Sequence, residues 1–175
     1  MPEPEVIERA RRDAEQGKSP STQAGEFVHE EFEHVRQGKH GARSPQQAIA
    51  IGLSKARRAG VKLPLPKRGR TAKKTQAQAR RDSAKGRRGG GPTSARRSRA
   101  VSGALRREST RSASHSAISK QARTSARRRG RGDRRRAARA AVRTKGRQGL
   151  RRAARKASRT RTKTRRAGRS RRAGR

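Results

Sequence analysis

The sequence predicts a mainly α protein, with a small N-terminal helical head followed by a long intrinsically disordered basic tail. Three observations carry that prediction. The formal net charge is +41 over 175 residues, yet residues 1–66 hold 11 Lys+Arg against 9 Asp+Glu, leaving 42 against 3 for residues 67–175. Large apolar residues after Pro66 are only Val101, Leu105, Ile118, Val142 and Leu150. Before Pro66, apolar residues recur at helical spacing between helix start and stop signals. The resulting divisions are an acidic helix and linker over 1–24, a helical hairpin over 25–66, and an Arg/Lys/Ala/Ser-rich tail over 67–175.

The first helix is expected over 4–16. Pro4 suits an early helical position, Ile7, Ala10 and Ala14 share a face, and Gly17 ends the run. The second starts at Ser19-Pro20 or after Gly25 and ends near Gly38, a C′ glycine. Val28, Phe32 and Val35 follow i, i+4, i+7 spacing, with Phe27 beside them. Glu26, Glu30, Glu31 and Glu33 cover the other side. They form a solvated face or dock on the basic tail.

The third helix has the strongest signals. Ser44 is a good N-cap, Pro45 fits N1, and Gln47 at N3 completes a capping box. Ile49, Leu53 and Ala56 form its stripe, with Ala48 and Gly52 alongside, where a partner backbone can come close. Lys55, Arg57 and Arg58 favour its C-terminal dipole, and Gly60 stops it. The predicted head core is therefore Phe27, Val28, Phe32, Val35, Ile49, Leu53 and Ala56. At about 40 residues the hairpin is near the lower limit for folding alone, and Ile51 on its outer side offers a contact for a homodimer. Pro64 and Pro66 make residues 61–66 an extended exit.

The tail predicts disorder because five large apolar side chains cannot offset roughly 1–2 kcal/mol of backbone entropy per ordered residue. Residues 89–92 (GGGP) mark a break within it, and Arg-Arg-Ala units recur from 135 onward without a fixed period. Two segments are expected to become helical on a polyanion: one with the i, i+4 pairs Ala100–Ala104 and Val101–Leu105, and one lined on one side by Leu150, Ala153, Ala154 and Ala157.

A chain so basic points to nucleic acid. The tail has 34 Arg and 8 Lys and no Phe, Tyr or Trp, so it offers phosphate contacts without a stacking platform. The densest candidate contacts are Arg96, Arg97 and Arg99, then Arg106 and Arg107, then Arg127, Arg128 and Arg129. Arg134, Arg135 and Arg136 follow, then Arg151, Arg152, Arg155 and Lys156, and finally Arg165, Arg166, Arg171 and Arg172. DNA is the expected partner and RNA the alternative, in a cytoplasmic, nucleoid-associated setting.

Other chemistries find little support. There is no cysteine, which excludes disulfides and thiolate zinc sites. Residues 1–20 lack the apolar run of a secretory signal, and residues 48–53 (AIAIGL) fall far short of the ~20 residues that span a bilayer. His29 and His34 are five residues apart, out of phase for a zinc-protease helix, and His40 lies in the following loop, so no metal and no cofactor is expected. No nucleophile elbow or phosphate-binding loop is present, and no catalytic residue or enzyme activity is expected. Residues 106–109 (RRES) resemble a basophilic kinase site. Gln46 and Gln47 would reach adenine edges if the hairpin were a helix-turn-helix reader, but GKHGARS is longer than the usual turn.

Residues 26–66 resemble a small bacterial family of unknown function. Its members carry a short helix and a Lys-Gly-rich turn, then a helix of the form QAIAIGLS-x-AR-x-AG, here Gln47 to Gly60, and a basic extension. Members are sometimes labelled DNA-binding or plasmid-stabilising. The tail is similar in composition to those of linker histones and bacterial histone-like proteins. The resemblance implies a non-enzymatic, histone-like protein that compacts or bridges DNA without sequence preference. An RNA- or ribosome-associated protein, or a regulatory protein whose head binds a protein partner, are the alternatives.

Overall fold

A computed structural model of the chain describes residues 2–66, 71–89 and 94–173, with side chains described through 162 apart from 144–145. The described residues are all helical or irregular. The elements are α1 (Pro4–Glu15), α2 (Pro20–Arg36), α3 (Pro45–Arg58), α4 (Lys73–Arg87), α5 (Ala95–Arg106), a 3-10 turn (Thr110–Ala113), α6 (His115–Arg128) and α7 (Arg131–Ala173). The chain divides into two compact units, Met1–Ala122 and Arg123–Arg175.

The head elements follow their local signals. Ser19 caps α2 through Thr22 N–H, so Gly25 lies inside the helix. Ser44 Oγ accepts the Gln47 N–H at 3.3 Å. The Gln47 side chain returns to the Arg43 N–H at 2.8 Å, one residue before the expected Ser44 N–H. Gly60 follows α3 with φ 93°, the left-handed geometry that closes a helix.

Two apolar clusters lie along α2. Phe27 and Ala24 meet Val6 and Ala10 of α1 and Ala56 of α3, with Ile7, Leu53, Val61 and Leu63 packed around them. Phe32 and Val35 meet Ala42, Ala48 and Ala113, flanked by Val28, Ile49 and Ile118. The crossing of α2 and α3 is tight. A Cβ on Gly52 would stand 2.7 Å from Val28 Cα and 3.0 Å from the Phe27 carbonyl oxygen.

The long disordered tail is not what the structure contains. Helix continues through α4, α5, α6 and α7, so the prediction of a disordered tail is corrected; its mainly α part agrees. The physical reason lies in groups that a count of large apolar residues overlooks. Ala113 is buried in the second cluster and Ile118 packs on it. Asp82, buried, accepts from Ser54 Oγ and from Arg58 Nε of α3 (2.8 Å). Gly86 lies so close to α3 that a Cβ there would stand 2.1 Å from the Arg57 carbonyl oxygen. The Gly41 and Ala42 N–H groups donate to Leu105 (2.9 Å) and Ser109 (3.1 Å) carbonyls, tying the hairpin loop to the end of α5.

In the second unit, α7 draws on Ala and Arg, both strong helix formers. Gly146 interrupts it with φ 65°, ψ 169°, so α7 is two helical segments in sequence. The segment around Leu150, expected to need a polyanion, is already helical. Of the expected 89–92 break, Gly89 has φ 72°, and residues 90–92 lie outside the described residues.

Candidate nucleic-acid interface

The acids are the first determinant of the surface. Asp13, Glu30, Glu31 and Asp82 are buried, which corrects the expectation of Glu30 and Glu31 as a solvated face. Glu26 pairs with Arg9 at 2.8 Å, and Glu33 with Arg36 at 2.6 Å. Glu3 binds His34 at 3.0 Å and Lys39 at 3.1 Å. These contacts, His34 first, hold the Glu3 carboxyl below the ordinary carboxylate range. The negative charge of α2 is consumed within the head, so it is not presented to the basic helices as a docking strip.

The expected Arg and Lys contacts whose side chains are described are exposed. Arg96, Arg97 and Arg99 on α5 are exposed, as are Arg106 at its end and Arg107 just beyond. At 100° per residue, Arg96, Arg99 and Arg106 fall within a sector of about 80°. Arg127 and Arg128 end α6, and Arg129 follows it, all exposed. Arg134, Arg135 and Arg136 stand exposed in the first turns of α7, with Arg136 paired to Asp133. Beyond Gly146, Arg151, Arg152, Arg155, Lys156 and Arg159 are exposed and span a sector of about 140°. Leu150, Ala153, Ala154 and Ala157 take the opposite side, so this segment has one basic face. The side chains of Arg165, Arg166, Arg171 and Arg172 lie outside the described residues.

A further group of cations was not foreseen. The extended exit 61–66 runs between α3 and α4 and leaves a cavity of about 740 Å³. Arg57, Lys62, Arg80 and Arg87 line it, together with Val61, Leu63 and Leu65. Arg57 is buried and its Nε has no partner, while Nη2 donates to the Pro64 carbonyl oxygen at 3.4 Å. Burial pushes the guanidinium below its ordinary pKa, and the Asp82 charge works against that shift. Only folding brings Arg57 and Arg80 together, so no local sequence pattern marks the group.

Features of the alternative readings are otherwise engaged. Gln46 Nε2 donates to Gln121 Oε1 at 2.5 Å, and Gln47 is committed to its cap, so neither is presented as a base reader. Ser109 caps the 3-10 turn by accepting the Arg111 N–H at 3.1 Å. Phe27 and Phe32, the only aromatic residues of the Phe/Tyr/Trp class, are both buried. Ile51 is half-buried.

His29 and His34, out of phase along α2, do not come together, but His34 and the loop residue His40 do. His34 and His40 have ring centroids 6.1 Å apart, and each offers a nitrogen to a group completed by the buried Glu31 carboxylate. His29 stays exposed on the outer side of α2. Lys55 Nζ lies 2.9 Å from Glu31 Oε2 and 3.2 Å from Glu30 Oε2. The Glu31 contact is close but poorly directed, and neither Glu31 oxygen receives a well-formed hydrogen bond.

Residues 21–68 match a family of unknown function (DUF6496). The match takes in α2, α3 and the extended exit, about a quarter of the chain, and ends before α4. No curated protein matches the chain, and no solved structure does. No described helix is long and apolar enough to cross a membrane.

Proposed function

We propose that this is a non-enzymatic protein that binds duplex DNA through its phosphates, without sequence preference, and compacts or bridges it in the manner of a nucleoid-associated protein. The observation that carries this reading is the separation of charge. Four acids are buried, while the Arg clusters of α5, α6 and α7 stand exposed. Basic faces on helices place several cations at successive turns about 5.4 Å apart, a row of charge that can contact several phosphates. Burial of both Phe residues removes the stacking surfaces that single-strand binders use. Commitment of Gln46 and Gln47 argues against base readout by α3. Arg57, Lys62, Arg80 and Arg87 around the cavity between α3 and α4 add further positive charge to the first unit. Two charged units in one chain also favour bridging, because binding by one raises the effective concentration of the other.

The test is a salt titration of binding to unrelated duplexes of equal length. With about ten phosphates neutralised, the logarithm of affinity falls with the logarithm of salt at a slope near −9, alike for every sequence. Replacing Arg96, Arg99 and Arg106 with Gln reduces the slope in magnitude by about 1 per lost phosphate contact. A shallow slope, or one duplex strongly preferred, refutes this reading. Tighter binding to structured RNA than to duplex DNA moves the function to RNA.

A further inference from the structure

We propose that Glu31, His34 and His40 bind a divalent transition-metal ion, with zinc the fitting choice. Glu31 and His34 are three residues apart on α2 and share one face. His40 reaches them from the loop between α2 and α3. One ligand atom from each lies within 4.8 Å of the other two. Two imidazoles and one carboxylate are a donor set suited to zinc, and they leave a fourth position for water.

Three details point to a cation at this spot. First, His40 Nδ1 lies 3.1 Å from the Gly41 carbonyl oxygen, which only accepts, so Nδ1 carries the proton. The Nε2 lone pair then faces Glu31 Oε1 at 3.4 Å. Two lone pairs facing each other in a buried place repel unless a positive charge lies between them. Second, about 3.4 Å is the ligand-to-ligand edge of a tetrahedral zinc site with Zn–N and Zn–O bonds near 2.1 Å, and it is long for a hydrogen bond. Third, Glu31 is fully buried and Oε1 has no donor, while Lys55 engages the other oxygen and orients the carboxylate. Glu3 orients His34 through the 3.0 Å contact at Nε2. Such outer contacts are usual for metal-bound histidine. The surrounding charges are Glu3, Glu30 and Glu31 against Lys39 and Lys55, a net of −1 with neutral histidines, which favours a dication. The ion would fasten the 38–44 loop to α2, and through the Gly41 and Ala42 bonds it would also secure the end of α5. This site is separate from the proposed nucleic-acid interface.

The experiment is zinc titration of the chelator-treated full chain against a chromophoric chelator. One zinc binds per chain, and His34→Ala and His40→Ala each weaken it at least 100-fold. His29→Ala leaves it within threefold, and Glu3→Gln weakens it about 10- to 100-fold. Affinity falls as the pH is lowered, because protons compete with the ion for its ligands. Cobalt substituted into the wild-type chain gives the intense visible bands of a four-coordinate centre, a readout that does not depend on any variant folding. Wild-type protein that binds zinc no better than His40→Ala overturns the proposal. The 3.4 Å gap would then hold a proton shared in a histidinium–glutamate pair. An equal loss in His29→Ala, or only the weak bands of six-coordinate cobalt, also overturns it.

Discussion

Asp82 shows how one residue changes the fate of a segment. It is one of three acids after Pro66, and its environment sets its worth. Buried, it accepts from Ser54 and Arg58 of α3 and from Gln78 of its own helix. Asp133 is also paired, but with an exposed Arg136 three residues on. Asp82→Asn removes the charge and one acceptor from a buried network, with an expected loss of about 1–3 kcal/mol. Asp133→Asn changes stability by about 0–1 kcal/mol. Chemical denaturation of the two variants side by side checks the contrast; equal effects would mean that α4 is not anchored through Asp82. A lone acid within a basic run is the signal that could have marked this position in the sequence.

At the scale of elements, legibility depends on where the determining contacts lie. The helices before Pro66 could be read because their determinants are local: Ser19 and Ser44 caps, prolines at N1, and apolar stripes at helical spacing. Ser44→Ala removes the cap of α3 and costs about 0.5–2 kcal/mol, measurable as a lower thermal midpoint with the far-ultraviolet spectrum retained; an unchanged midpoint would contradict the capping role. Helix α4, and the formation of α5 without a polyanion, were not legible because contacts distant in sequence position them. Gly86 admits the Arg57 carbonyl, and Gly41 donates to Leu105; neither glycine differs in sequence from a loop glycine. The second apolar cluster draws in Ala113, a residue too small to count as a core former by composition. The candidate interface was legible as composition, in its Arg clusters. Its arrangement as basic helical faces was not, because so few large apolar residues predict no helix in isolation. The Glu31–His34–His40 group was not legible because spacing pairs His29 with His34, whereas folding brings His40 to His34 and completes the group with the buried Glu31.

The whole molecule separates its charges by depth. Asp13 of α1, Asp82 of α4 and Glu26, Glu30, Glu31 and Glu33 of α2 are buried or paired within the first unit, while Glu8 and Glu15 of α1 stay exposed. A net charge of +41 acts over a distance set by ionic strength, about 8 Å at physiological salt, and draws the protein to polyanions before any specific contact is made. Under the proposed function, burial of both Phe residues and commitment of the α3 glutamines make the phosphate backbone the feature to be recognised. The most direct measurement is crosslinking of the protein to nucleic acid in living cells, with sequencing of both DNA and RNA. The account predicts broad recovery of genomic DNA without a shared motif. Recovery dominated by RNA, or confined to one sharp DNA motif, would contradict it.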